Sequence, residues 1–136
     1  MISSLPVGLA EFMRDHVSTY EELDALLFLA RSPTRAWSCA DMGESLSVPV
    51  DSIETALDAL LAVGSLVQTD QQSDQRMFRY APGNDFIREQ VAHLQVAYAE
   101  HRMDIVQVMT ANAMERVRSS AARRLADAFR FERSKK

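Results

Sequence analysis

The spacing of apolar residues along this chain changes between Gly64 and Tyr80. Before Gly64, apolar residues recur every three or four positions, which is typical of helices that bury one face. Over 65–69 and 76–80, apolar and polar residues alternate instead, and the stretch 70–75 between them is polar. This pattern predicts a β-hairpin, and Gly64 stands at the C′ position of the preceding helix, where a left-handed backbone is needed.

Helices are predicted on both sides of this hairpin. Thr19 and Glu22 have the spacing of a capping box, so a helix is expected to begin there. Asp51 is the predicted N-cap of the helix before the hairpin, and Asn84 or Asp85 is that of the helix after it. In chain order, the predicted helices cover residues 7–16, 19–31, 39–45, 51–63, 84–109 and 119–131, with a short extended piece at 36–38.

The helix after the hairpin carries a coiled-coil pattern. Its apolar or bulky residues follow one another at spacings of four and three over three heptads, which favours pairing with a second copy. We therefore predict a homodimer, although the first two turns could also pack on the preceding part of the same chain. His101 is expected to be a half-buried histidine with a hydrogen-bond partner or, alternatively, a pH-sensitive device. The predicted dimer seam consists of Ile87, Val91, Leu94, Tyr98, His101, Ile105 and Val108.

Charge is divided unevenly along the chain. The formal net charge is −4, but residues 36–75 hold seven acidic residues and neither lysine nor arginine. Residues 76–136 hold twelve basic and seven acidic residues. Such asymmetry is typical of interaction surfaces, and it suggests that the basic C-terminal half of one chain lies against the acidic segment of another.

Four segments follow one another in an order that carries a family resemblance. They are LDALLFLA at 23–30, the short helix ADMGESL at 40–46, the helix from Val50 to Val63, and the run ALLAVGSLV at 59–67 that enters the hairpin. Together they resemble a winged helix-turn-helix domain over residues 19–81, and the long helix resembles the dimerisation helices of MarR-type and PadR-type bacterial regulators. The resemblance implies a mainly α fold with a β-hairpin wing and a long C-terminal dimerisation helix. It divides the chain into a winged-helix domain with an N-terminal helix (1–83), a heptad-patterned helix (84–114), and a basic C-terminal helix and tail (115–136).

Most proteins with this fold regulate transcription, but the charge of the second helix of the turn argues against routine DNA reading. A recognition helix in the major groove is accompanied by Lys and Arg contacts to phosphates. No cation occurs from 36 to 75, and outward acids repel a polyanion. We therefore expect a regulator or adaptor that acts mainly through protein–protein contacts. Its predicted partner-binding face consists of Asp51, Ser52, Glu54, Thr55 and Asp58.

Two alternatives remain open. The first is a DNA-binding transcriptional regulator that docks through its wing and its basic C-terminal half, with nucleic-acid contacts at Gln71, Gln72, Arg76 and Arg79. The second is a small-ligand sensor with its pocket between the winged core and the long helix.

Residues that could carry catalysis or bind a metal are few. The chain has three histidines and one cysteine, and it lacks nucleophile-elbow and phosphate-loop motifs. We predict no enzymatic activity, no catalytic residue, no metal and no cofactor. Cys39 is interpreted as a small buried hydrophobe or, alternatively, as a redox-sensing thiol with a pKa lowered at a helix start. The single cysteine, the lack of a signal peptide and the lack of a long apolar run predict a cytoplasmic protein without a membrane span.

Overall fold

The computed structural model describes the backbone of residues 5–72 and 74–134 and the side chains of residues 5–70 and 74–128. Within these ranges the chain is mainly helical and has a small antiparallel sheet. In order, the elements are α1 (Leu9–His16), α2 (Tyr20–Arg31), β1 (Trp37–Ser38), α3 (Cys39–Leu46), α4 (Val50–Val63), β2 (Val67–Gln72), β3 (Gln75–Tyr80), α5 (Asp85–Glu100) and α6 (Arg102–Ser134).

Local signals begin α2 and α5 where the sequence predicts. The Thr19 hydroxyl oxygen accepts a hydrogen bond from the Glu22 backbone N–H at 3.1 Å, and the Glu22 carboxylate accepts one from the Ser18 N–H at 3.0 Å. The Asn84 side-chain oxygen accepts from the Ile87 N–H at 2.9 Å. These bonds satisfy N–H groups that have no partner inside the helix, so the predicted capping at Thr19 and Asn84 is confirmed.

The start of α4 differs from the prediction. Its N-cap is Pro49, and the Ser52 and Ile53 N–H groups donate to the Pro49 carbonyl at 3.0 and 3.2 Å. Asp51 lies inside the first turn, so its assignment as the N-cap is wrong. At the other end, Gly64 has φ 87° and closes the helix in the left-handed region, as expected.

The sheet has the strand order β1-β3-β2, and Phe78 lies at its centre. Phe78 pairs with Trp37 on one side and with Thr69 on the other, and its side chain is fully buried. The strands of the hairpin continue to Gln72 and Gln75, so the turn is shorter than the predicted 70–75. Backbone pairing needs no apolar side chains, which is why this polar stretch extends the strands.

The predicted continuous helix over 84–109 is interrupted at His101. This residue has φ −132° and ψ 48°, which end α5. Its carbonyl accepts from the Asp104 and Ile105 N–H groups at 3.0 and 3.2 Å, so α6 begins at once. The helix α6 then runs through the predicted gap at 110–118, so the boundaries predicted for the last helix are also wrong. The division of the chain into a winged-helix domain (1–83), a heptad-patterned helix (84–114) and a basic C-terminal part (115–136) stays a prediction.

The heptad-spaced residues lie inside the single chain rather than on its surface. Ile87, Val91, Leu94 and Ile105 are buried in the same core as the helices of the winged domain. Tyr98 and Val108 are half-buried, and His101 is exposed. The predicted dimer seam is therefore corrected, because its apolar surface is already covered by the chain's own α1 and α2. The expectation that His101 is half-buried is also wrong, because its side chain is exposed.

The element order confirms the fold class predicted from the sequence. A helix, a short strand, two helices and a hairpin follow one another, and long helices come after the wing. The chain thus has a winged helix-turn-helix fold, mainly α, with a β-hairpin wing and a long C-terminal helix. Among the described residues, we find no helix with the length and apolar character that a membrane span requires.

Candidate nucleic-acid interface

The turn between α3 and α4 fixes the position of the second helix. Gly43 is buried, and a Cβ atom there would lie 2.9 Å from the Val48 carbonyl oxygen, so only glycine permits this close approach. Ser47 adopts a left-handed conformation with φ 57°. The Val48 N–H donates to the Gly43 carbonyl at 3.0 Å, and this bond closes the turn. The α4 helix is therefore held firmly against the end of α3.

The α4 helix has one buried and one exposed face. Ile53, Leu57 and Leu60 are fully buried and anchor the helix in the core. The opposite face carries the residues that the sequence assigned to a partner-binding surface, and the structure brings them together. Asp51, Glu54, Thr55 and Asp58 are exposed, and Ser52 is half-buried. Whether a partner binds there stays a prediction.

An ion pair joins the wing to α4. The Arg76 guanidinium contacts the Asp58 carboxylate at 3.1 Å, and both side chains are about half exposed. Arg76 also lies over the ring of Phe78, with its guanidinium carbon 5.0 Å from the ring centre. This pair neutralises one of the three acids on the outward face of α4. Its contribution to stability is small, because an exposed pair contributes about 0–1 kcal/mol.

The four predicted nucleic-acid contacts do not form one cluster. Arg79 is three positions after Arg76, so it points to the opposite face of the hairpin, where its guanidinium donates to the Gln68 side-chain oxygen at 2.9 Å. The side chains of Gln71 and Gln72 lie outside the described residues. In the part that the structure describes, the wing therefore presents two separate cations, of which Arg76 is paired with an acid.

A hollow of about 300 Å³ lies between the starts of α2 and α4. Its acidic lining comes from Glu21, Glu22 and Asp51, and its hydroxyl groups come from Ser52 and Thr55. The sequence prediction missed the two glutamates of this surface, because they precede α4 by about thirty residues in the chain. Their signal is the excess of acids in the first turn of α2. The result is a concave, acidic surface beside the outward face of α4.

Cys39 begins α3 and is half-buried. Burial raises the pKa of its thiol above the ordinary 9.0, and the nearby Glu54 carboxylate raises it further, against the opposing effect of Arg76. The alternative of a thiol whose pKa is lowered at the helix start is therefore wrong. Burial is the largest cause of this shift, because it disfavours the charged thiolate.

Two neighbouring hollows of about 580 and 420 Å³ lie between α2 and α5. They share Ala30 and Gln95, and Arg31, Arg88 and Arg102 contribute to their walls. This is the place that the small-ligand alternative assigns to a pocket, between the winged core and the long helix. Ligand binding there stays a prediction.

The histidines stand apart from one another. His16 shares a hydrogen bond between its Nδ1 and the Phe12 carbonyl at 2.9 Å, and its ring stacks on Phe12 with 4.4 Å between ring centres. His93 and His101 are exposed on α5 and at its end. Among the described residues, no group of three or more His, Cys, Asp and Glu side chains is placed to hold a metal ion.

Comparison with known proteins gives a structural likeness and no sequence relative. No protein-family model and no curated protein matches the chain. The fold is similar to the solution NMR structure of the homodimeric winged helix-turn-helix DNA-binding domain (fragment 1–100) of Mb0332 from Mycobacterium bovis, described as a possible ArsR-family transcriptional regulator. The two share 17% sequence identity over 74% of this chain and 93% of that chain, with a TM-score of 0.50. At this identity the likeness establishes the winged helix-turn-helix fold alone.

Proposed function

We propose that the protein is a transcriptional regulator that binds DNA as a homodimer and acts by contact rather than by catalysis. The observation that supports this most is the placement of α4 and the wing side by side, linked by Arg76 and Asp58, with one polar face left open. The solved protein of similar fold is a DNA-binding domain. We place this role in the cytoplasm, as the sequence predicts.

DNA contact in this proposal is led by the wing rather than by α4. Arg79 is exposed, and its recorded partner is the neutral side chain of Gln68, so its charge is available to a phosphate. Arg118, Arg123 and Arg124 add exposed cations on α6. On α4, Thr55 and Ser52 can hydrogen-bond to base edges, while Asp51 and Glu54 oppose close approach of the backbone.

The homodimer in this proposal uses the outward face of α5 and the start of α6. Phe86, Val96 and Met103 are large apolar residues that are each more than half exposed. Contact with a second copy would remove these side chains from water, which is favourable. A second copy would cover them without disturbing the buried residues that the sequence assigned to a seam. The solved protein of similar fold is itself homodimeric.

The proposal is tested by fluorescence anisotropy with a labelled duplex of random sequence, titrated with salt. Binding is expected to weaken steeply as salt rises, because each phosphate contact contributes about 0.9 to the log–log slope. Arg79→Gln is expected to reduce that slope by about one unit. Arg14→Gln is the matched control, because Arg14 pairs with Asp15 on α1. An unchanged slope in Arg79→Gln would contradict wing-led docking.

A second candidate function is the regulator or adaptor that works through protein contacts. It is favoured by the acidic outward face of α4, since the ion pairs among the described residues include neither Asp51 nor Glu54. Uncompensated surface charge of one sign steers and selects a partner of the other sign. Lack of DNA binding at low salt, with Asp51→Asn and Glu54→Gln variants losing a basic protein partner, would favour this second function.

A further inference from the structure

The second half of α6, from residue 117 onward, together with Met114, presents an exposed apolar ridge. From Val117 to Ala128 every side chain except Ser120 is exposed. Met114, Val117 and Leu125 are between 58% and 68% exposed, and their spacing of three and eight residues places them on one face of the helix. Arg118 and Arg124 lie on either side of this ridge by the same helical period. A basic helix of this kind fits an acidic, concave surface that has apolar side chains beside it.

The first half of α6 is fixed to its own chain, and this determines where the second half can reach. The Asn112 side-chain amide donates to the Ala10 carbonyl at 3.5 Å, and Arg116 donates to the Ser18 carbonyl at 3.2 Å. The helix continues unbroken to Ser134, about 27 Å beyond Arg116 at 1.5 Å per residue. Because the side chains of residues 117–128 are exposed except for Ser120, this half of the helix does not lie in the α2–α4 hollow of its own chain.

The hollow between α2 and α4 has the complementary character. Its lining is mainly acidic and hydroxyl-bearing, with Ala56 as the apolar member, and the exposed Tyr20 and Val50 directly precede the lining residues Glu21 and Asp51 in the chain. Glu21 and Asp51 supply carboxylates at the rim. The surface thus pairs apolar contact with acceptors for guanidinium groups.

We propose that the second half of α6 from one chain docks in the α2–α4 hollow of a second copy. The apolar ridge contacts Tyr20, Val50 and Ala56, while Arg118 and Arg124 pair with Glu21 and Asp51. This contact covers Ser52 and Thr55, the groups through which α4 would approach base edges. Self-docking therefore occupies the recognition face and competes with any other partner of α4.

The charges of the α2–α4 hollow and of α6 favour a second copy of the chain over DNA as the occupant of the hollow. Residues 36–75 hold seven acids without a cation, so DNA is repelled from this hollow. Between 115 and 128 the chain holds four arginines against two acids, and every copy of the protein supplies this segment. If two chains exchange their α6 helices reciprocally, both hollows are filled in one closed dimer.

A crosslinking experiment on the full chain tests the contact locally. Ser52→Cys and Ala121→Cys are introduced separately into a Cys39→Ala background, and the two variants are mixed with a short bismaleimide in the absence of DNA. We expect a product of twice the chain mass, and its yield should fall as salt rises. Gln107→Cys replaces Ala121→Cys as the matched control, since it is exposed on the first half of α6. Equal yields from positions 107 and 121 would overturn the proposal.

Charge reversal supplies the second arm of the test. Adding Arg118→Glu and Arg124→Glu to the Ala121→Cys chain is expected to lower the yield about fivefold, the loss of two exposed pairs. Adding Glu21→Arg and Asp51→Arg to the other chain should restore it. Arginine in the first turn of α2 or α4 destabilises that helix. The neutral substitutions Glu21→Gln and Asp51→Asn therefore serve as a milder pair, and they should lower the crosslinking yield while the chain stays folded. Failure of the reversed pair to restore crosslinking, with both chains folded by circular dichroism, contradicts the proposal. A chain that crosslinks but does not bind DNA would instead contradict only the DNA-binding function.

Discussion

The phenol of Tyr98 joins the long helix to the winged core at the scale of a single residue. Its hydroxyl donates to the Asp24 carboxylate at 3.1 Å, and the Arg102 guanidinium lies 4.5 Å from the ring centre. Burial raises the pKa of the phenol above the ordinary 10.0, and the charge and hydrogen bond of Asp24 raise it further. The folded protein therefore favours the neutral phenol.

This raised pKa makes stability depend on pH in the alkaline range. A group whose pKa is higher in the folded than in the unfolded chain stabilises the fold below its unfolded pKa, and that stabilisation is lost as pH rises. We expect the unfolding temperature to fall as pH rises above about 10, and to fall less steeply in Tyr98→Phe. If the unfolding temperature of Tyr98→Phe depends on pH as steeply as that of the wild type, the hydrogen bond between Tyr98 and Asp24 does not cause the loss of stability at high pH.

At the scale of elements, helices and strands with local signals could be predicted from the sequence. Thr19 and Asn84 cap helices through their own side chains, and Gly64 ends one through its φ of 87°. Each signal acts within a few residues, so it is readable without the rest of the chain. The alternation that predicts the hairpin is likewise local.

The break at His101 has no such signal. The heptad spacing continues from Tyr98 through His101 to Ile105, so the sequence pattern predicts one helix. The break arises because α5 and α6 both pack on α1, which a single straight helix does not do. The same tertiary packing buries the predicted seam, and it shows that a heptad pattern can describe an intrachain core as well as a dimer.

The candidate site was also predictable only in part. The outward face of α4 follows from helical period alone, and the structure places Asp51, Glu54 and Asp58 together on it. The pair between Arg76 and Asp58 joins residues 18 apart on two elements, and no local pattern indicates it. The opposite directions of Arg76 and Arg79, by contrast, could have been read from the strand period of two.

The corrected dimer surface on α5 leads to a prediction at the same scale. In a chain that also carries Arg118→Glu and Arg124→Glu, which remove the proposed α6 contact, Val96→Asp is expected to shift the protein from dimer to monomer, because it places a charge in the proposed apolar contact. Sedimentation equilibrium at moderate salt measures the change in molar mass. Val7→Asp makes the same substitution at another exposed valine and should leave the mass unchanged. Dimers that survive Val96→Asp would remove this face from the proposal.

At the scale of the whole molecule, acidic and basic residues that are separated in the sequence also lie on separate surfaces. Three of the seven acids of residues 36–75, Asp51, Glu54 and Asp58, lie on the outward side of α4, while three exposed arginines, Arg118, Arg123 and Arg124, lie on α6. A DNA-binding role and a protein-binding role use these surfaces differently. DNA requires the wing and α6, whereas a basic protein segment requires α4.

The most direct measurement of the central claim is selection from fragmented genomic DNA of the source organism by the full-length protein. At about 150 mM salt, non-specific phosphate contacts are weakened, so retained fragments report specific binding. A regulator of transcription should enrich a small set of fragments that share a two-fold repeated site, as expected for a homodimer. Arg79→Gln should reduce that enrichment. Retention of no fragment above the input distribution, from protein shown to be folded, would contradict the account.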